Sequence, residues 1–371
     1  MYRHLYVHVP FCARRCSYCD FAIAVRRQTP VAEFVASLRG ELQARTPGRA
    51  ATALDTLYLG GGTPSRLGGE GVAFALDVVR EHFDLAPGSE VTVEANPEDV
   101  TPAVVRAWRG AGVNRVSLGV QSFSPEVLRW MHRTHDVAAI HRAAEALRIG
   151  GIANWSLDLI YALPPEVPRD WAADVGSALA LEPPHISAYG LTVEPGTPLA
   201  RWRTRGEIHE ADEERYERDF LEAHDTMAQA GLEHYEVSNY ARPGLRSRHN
   251  SSYWRNVPYL GVGPGAHGFD GASRRWNERE YSQWSERVSE GVDPRAGGET
   301  LDLTAQELER VYIGLRTLEG VKLRPNESSY VAPWIEAGWG TVREGRLMLT
   351  PRGWLRLDAL VAALTEHRSR Y

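Results

Sequence analysis

The stretch HVPFCARRCSYCDF, residues 8–21, holds all three cysteines of the 371-residue chain, as Cys12, Cys16 and Cys19. Thiolates are soft ligands that suit zinc and iron–sulfur clusters, and three of them on one loop can be aimed at a common point. Structural zinc wants a closed tetrahedral shell, so it would have to recruit a histidine such as His8. A [4Fe–4S] cube on three cysteines keeps one iron open, which is a defect for electron transfer but an asset for binding a substrate or cofactor. Three thiols this close do not make a secretory disulfide framework; a reducing compartment keeps them free for metal, and the cytoplasm is the expected location.

Outward from this loop, short β-branched and aromatic runs alternate with helical patterns to about residue 230, the signature of βα units around a parallel sheet. Leu5–Val9 is the first expected strand. Val31, Phe34, Val35, Leu38 and Leu42 then recur at helical spacing. DTLYLG, EVTVEA, VNRVSLGV, NWSLDLIY and HISAYGLTV read as five further strands, with helices between them such as 104–111 and 140–147. Eight βα steps close a standard barrel, so six predict an α/β fold built on an incomplete, open (β/α)6 barrel with room for a large ligand.

Polar residues stand where these strands finish: Glu94 after VTV, Gln121 after SLGV and Asp158 within SLDLIY. Charge in an apolar strand is costly unless it is paired or faces a site. Each residue alone reads equally well as a structural ion pair, but as a set at the carboxyl ends of parallel strands they point to one shared cavity.

After Tyr240 the texture changes to a loop-rich passage, ARPGLRSRHNSSYWRNVPYLGVGPGAHGFDG. Beyond about residue 300, LTAQELERVYIGLRTLEGV reads as a helix or two, and GRLMLTPRGWLRLDALVAAL as a strand, a turn and a final helix, an order that resembles a winged-helix unit. The expected division is residues 1–235 for the barrel, 236–290 for a loop-rich extension and 291–371 for a smaller winged-helix-like α+β domain. With a formal charge of −6 and no evident basic recognition face, nucleic acid is not an expected partner. No apolar run approaches the roughly 20 residues of a spanning helix, which leaves only peripheral membrane association open.

CARRCSYC, preceded by a strand, resembles the CxxxCxxC cluster loop of the radical S-adenosylmethionine (radical SAM) superfamily. The resemblance implies a [4Fe–4S] cluster on Cys12, Cys16 and Cys19 whose open iron is chelated by S-adenosylmethionine, which the superfamily cleaves to methionine and a 5′-deoxyadenosyl radical. YLGGGTPS looks like the superfamily's segment that receives the methionine amino group. YVHVPFC, GGGTPS, VEANPE, GVQSF, MHR and LDLIYALP occur in this order in the coproporphyrinogen dehydrogenase and HemW-type family. That resemblance covers most of residues 5–275 and carries S-adenosylmethionine contacts onto Tyr6, Tyr18, Gly61, Gly62, Thr63, Glu94, Gln121, Arg133, Asp158 and Thr192.

Three features divide the family by function. The oxygen-independent coproporphyrinogen III dehydrogenase carries CxxxCxxCxC, and its fourth cysteine would fall at Phe21. It has a long segment before the cluster loop, whereas eleven residues precede Cys12 here. HNSSYW, residues 249–254, matches the HNxxYW motif of HemW-type haem chaperones, which implies a haem contact for His249, Tyr253 and Trp254. An imidazole can ligate haem iron and aromatic rings can lie on a porphyrin face. His267 and His8 are competing nitrogens, and a lid over the barrel mouth is the bland alternative.

The leading expectation is therefore a haem chaperone with haem as cargo, haemoproteins as acceptors and an electron donor for its cluster, lacking dehydrogenase activity. A radical enzyme, such as the dehydrogenase making protoporphyrinogen IX, is the second reading. A zinc-containing DNA-binding regulator is a distant third.

Overall fold

A computed structural model describes residues 2–370. The six expected runs form parallel strands: β1 (His4–Val9), β2 (Leu54–Gly61), β3 (Leu85–Ala95), β4 (Arg115–Gln121), β5 (Asn154–Tyr161) and β6 (His185–Gly190). They neighbour one another in chain order, each in parallel register with the next. Each is followed by a covering helix: α1 (Val31–Arg45), α2 (Gly68–His82), α3 (Pro102–Gly110), α4 (Val137–Gly150), α5 (Trp171–Ala180) and α6 (Glu213–Gln229). The result is an incomplete (β/α)6 barrel whose nine-stranded sheet ends in two unjoined edges.

Side chains alternate across the pleat, and that period sorts apolar from polar residues. Leu5, Val7 and Val9 of β1, Leu57 and Leu59 of β2, Val91 and Val93 of β3, and Leu157 and Leu159 of β5 are fully buried in the core that also holds Phe34, Leu38 and Leu42 of α1 and Leu76 and Val79 of α2. The opposite face carries Tyr6, Tyr58, Glu94, Ser117, Ser156 and Asp158, and hydrogen bonds within this set run from strand to strand. Each of these strands buries its hydrophobic face under helices and turns a polar face into the barrel.

At one edge β6 is followed by two antiparallel strands, Asn239–Ala241 and Glu233–Glu236. At the other, Leu260–Val262 pairs in parallel with Leu5–Val7 of β1. The passage read as loop-rich therefore supplies a barrel strand, a helix at Arg248–Trp254, and the strands His267–Phe269 and Ser273–Asn277, which form a three-stranded antiparallel sheet with Arg295–Thr300 from the segment expected to open the winged-helix-like domain. Its strands are too short to show a period, and the parallel pairing that orders Leu260–Val262 lies more than 250 residues away along the chain.

Further on, helix Leu303–Leu315, strand Val321–Lys322, helix Glu327–Glu336, hairpin Gly340–Arg343 with Arg346–Leu349, and helix Leu357–Arg370 follow in winged-helix order. The last helix is tied back by Arg368, which donates to both oxygens of buried Glu327 at 2.7 and 2.8 Å. No described helix is long and apolar enough to cross a membrane.

Candidate functional site

After β1 the chain runs through Pro10 into Phe11–Cys12, which pairs in parallel with Ala24–Val25, so the cysteine loop is an excursion pinned at its base. Its middle is held too: the Ser17 amide donates to Met131 O at 3.2 Å, and the Leu199 amide donates to Ser17 O at 2.9 Å. Cys12, Cys16 and Cys19 all line one cavity of about 340 Å³ at the carboxyl ends of the barrel strands. Among the described residues no three His, Cys, Asp or Glu side chains converge on a point for a single ion; the thiols stand around the cavity. Burial raises the Cys12 pKa and pushes Cys19 up to about 11, so both favour the neutral thiol, and a bound cation would draw them to the thiolate.

The glycine run explains itself by contact. A Cβ on Gly60 would lie 2.8 Å from the rings of both Tyr6 and Tyr58, and one on Gly62 would meet Pro10 O at 2.5 Å and Cys12 Sγ at 3.1 Å. Gly61, at φ +116°, rests on the His8 imidazole. Bare backbone thus lets β2 approach the cysteine loop, and the Thr63 hydroxyl reaches Cys12 Sγ at 3.3 Å.

The rest of the cavity wall gathers the predicted residues from all six parallel strands and the loops that follow them. Tyr18, Gly61, Gly62, Thr63, Glu94, Gln121, Arg133, Asp158 and Thr192 all line it. Glu94 accepts from Tyr58 Oη at 2.7 Å and from the Gly61 amide at 2.9 Å, and loss of water raises its pKa to about 7. Desolvation likewise lifts Asp158 to about 6, although Ser117 donates to it. Gln121 holds a left-handed backbone at φ +69°, an unusual conformation for a residue with a Cβ and one that clusters at functional sites. Arg133 donates through Nη2 to Asn96 Oδ1 at 2.6 Å and Gly119 O at 2.7 Å, and through Nη1 to Cys16 Sγ at 3.5 Å, while its buried Nε has no partner. A buried guanidinium with an unused donor beside two carboxylates that have lost solvent suits a zwitterionic ligand.

Tyr6 is placed elsewhere. Its ring lines a second cavity of about 620 Å³, together with Tyr253, Tyr259, His267 and Trp276, and its hydroxyl pairs with His8 Nδ1 at 3.1 Å. Phe21, Gly61 and Glu94 line both cavities, so the two adjoin. Phe21 is 59% exposed at this boundary.

Of HNSSYW, only Tyr253 faces the second cavity. His249 is buried: its Nδ1 pairs with Thr56 Oγ1 at 2.7 Å, its Nε2 with Tyr253 Oη at 2.8 Å, and its ring stacks on Tyr58 at 4.9 Å. Desolvation lowers its pKa to about 3, so it is neutral. Buried Glu90 accepts from the Arg248 and His249 amides and anchors the helix start on β3. Trp254 lies under the Arg316 guanidinium at 4.5 Å, outside both cavities.

Asn96, Ser117, Tyr189 and His132 also line the first cavity, although the sequence reading did not pick them out. Asn96 stands two residues after Glu94 at the same strand end, and His132 is the middle residue of MHR, in a loop that takes φ +58° there; both signals lay within motifs the sequence did carry.

Residues 6–176 match the family model of the radical SAM superfamily. The heme chaperone HemW of Mycobacterium tuberculosis is 39% identical over 366 residues, spanning 97% of this chain and 94% of that protein. The heme chaperone HemW of Escherichia coli is 38% identical over 265 residues, 71% of this chain and 69% of that one. Among solved structures, the coproporphyrinogen III oxidase HemN of Escherichia coli, a radical SAM enzyme, superimposes with a TM-score of 0.81 over 98% of this chain and 90% of its own, at 24% identity, which is a likeness of fold.

Proposed function

We propose a function from one premise: the chain belongs to the HemW-type family of the radical SAM superfamily. It binds haem as cargo, delivers it to acceptor haemoproteins, and keeps a [4Fe–4S] cluster with an S-adenosylmethionine site. The observation that carries this reading is similarity over nearly the whole chain to proteins named heme chaperones. Phe21, an exposed aromatic where the dehydrogenase pattern has a thiol, fits the same conclusion.

Cys12, Cys16 and Cys19 would hold the cluster, which when bound supplies single electrons at low potential. Arg133 would fork the ligand carboxylate with its unused Nε–H, next to the Cys16 thiol it already touches. Glu94 and Asp158 would accept from ligand hydroxyls or a cationic group, and the Gly61–Thr63 backbone would lie against the ligand where no Cβ intervenes. Tyr18 and Thr192 would cover it from the loops. Tyr253 would present a ring to the cargo from the second cavity, with His249 and Trp254 supporting it from behind. The chain works in the cytoplasm, with an electron donor for the cluster.

The test is a paired assay on one reconstituted sample. Haem binding with no conversion of coproporphyrinogen III is expected; clear formation of protoporphyrinogen IX would sink the chaperone reading. On the same protein, Cys16→Ser should abolish the brown iron–sulfur absorbance while circular dichroism and thermal unfolding stay near wild type, because the barrel core lies outside that loop.

A further inference from the structure

We propose that haem is held in the second cavity with His267, not His249, as its axial imidazole, an inference that rests on the haem-binding reading above. An iron ligand needs a ring nitrogen free of other partners. His249 has both nitrogens engaged, with Thr56 and Tyr253, and His8 has both engaged, with Tyr6 and with Ala22 O at 2.8 Å. Among the described residues nothing hydrogen-bonds either nitrogen of His267, which is exposed on the cavity wall.

Its ring is nonetheless fixed. His267 stands opposite Trp276 across the antiparallel pair, and the two rings stack with centroids 5.7 Å apart and planes 26° from parallel. Trp276 in turn stands opposite Gly297 on the next strand, where a Cβ would come within 2.6 Å of the indole. The glycine makes room for the indole and the indole carries the imidazole, a three-strand ladder ending in an unengaged ligand. Partial loss of water on the cavity wall and the nearby Arg274 and Arg279 lower the His267 pKa, so the ring is neutral near pH 7, as a ligand must be.

The surroundings suit a flat apolar macrocycle with acidic side arms. Tyr6, Tyr253 and Tyr259 give an aromatic wall, and their phenol pKa values are raised by burial, so they stay protonated and do not compete as phenolate ligands. Arg279 at the rim, bonded to Asp20 O, can meet a propionate; Glu278 beside it is already paired with Arg287 at 3.3 Å. The wall shared through Phe21 and Gly61 sets this cargo next to the cysteine loop.

The experiment titrates ferric haem into the cluster-reconstituted full chain and follows absorbance and electron paramagnetic resonance. Wild type should show an imidazole-ligated spectrum. His267→Ala should bind haem at least tenfold more weakly and lose that spectrum with unchanged S-adenosylmethionine affinity, His267→Gly should regain it on addition of free imidazole, and His249→Gln should keep it. The inference is overturned if His267→Ala and His267→Gly retain wild-type affinity and spectrum, or if His249→Gln, folded by circular dichroism, is the variant that loses the signature. Failure of wild type to bind haem at all would instead overturn the reading it rests on.

Discussion

The Arg133 guanidinium donates to the Cys16 thiol at 3.5 Å across 117 residues of sequence, joining the loop after β4 to the cysteine loop. The same side chain holds Asn96 after β3 and Gly119 within β4. One buried cation thus fixes three segments of the cavity wall while its Nε–H is left without a partner.

Arg133→Lys keeps the charge and loses the fork. A point-like ammonium cannot satisfy Asn96, Gly119 and a ligand carboxylate together. S-adenosylmethionine should bind about tenfold more weakly, measured by anaerobic calorimetry, and the unligated protein should lose about 1–3 kcal/mol from unpaired acceptors. Cluster absorbance should persist, since Arg133 is no thiolate. Unchanged affinity would remove Arg133 from the ligand site.

Glu94 and Asp158, as the proposed acceptors, should make ligand binding depend on pH. Both folded-state pKa values are raised, to about 7 and about 6, so both groups are neutral in acid and become carboxylates as pH climbs through those values. A site that uses them as acceptors should gain affinity for S-adenosylmethionine between about pH 5.5 and 7.5 and level off above that range. Glu94→Gln should erase the upper step and leave the one near 6. The linked stability effect has the opposite sense: raised carboxyl pKa values stabilise the unligated fold at low pH, and that contribution is lost as pH rises through the folded values.

Gly62→Ala should empty the cluster site without unfolding the barrel. The added carbon would sit 2.5 Å from Pro10 O, which is backbone, and 3.1 Å from Cys12 Sγ, so the cysteine loop must shift. Iron per chain after reconstitution should fall below half of wild type. Gly48→Ala is the control: its φ is +79° with open space around it, so it carries backbone strain of about 1 kcal/mol but no contact with the loop.

The barrel was legible because its apolar runs are long enough to show strand character and each is followed by an amphipathic helix. The cavity was legible because a polar residue at the end of a strand covered by helices must either be paired or face a site. Leu260–Val262 was not, since a leucine, a glycine and a valine between further prolines and glycines acquire strand geometry only by pairing with Leu5–Val7. The second cavity was hidden for the same reason: the His267–Trp276–Gly297 ladder exists only once three short strands lie side by side. The burial of His249 was hidden in another way. The motif reads as loop, but the fold draws this histidine beneath the sheet's polar face, where Thr56 and Tyr253 take both nitrogens.

That burial gives His249 a measurable signature in acid. Its folded-state pKa is depressed to about 3 by desolvation, with His4 nearby adding to the effect, while the unfolded value lies near 6.5. The neutral ring therefore contributes stability that is fully present above about 6.5 and drains away as pH falls toward 3, because the unfolded chain takes up a proton that the folded chain refuses. His8, at about 4, and His234, at about 3, act in the same sense, whereas Glu94 and Asp158 oppose them, so the wild-type profile alone is ambiguous. His249→Gln separates the term. Glutamine can still pair with Thr56 and Tyr253, so the variant should fold, be less stable than wild type at pH 8 through lost ring stacking, and close that gap by about 1.4 kcal/mol per pH unit below about 6.5. Urea unfolding of both proteins from pH 8 to 5 measures the gap directly; a gap independent of pH would mean that His249 titrates normally and is not sealed between β2 and the helix that carries it.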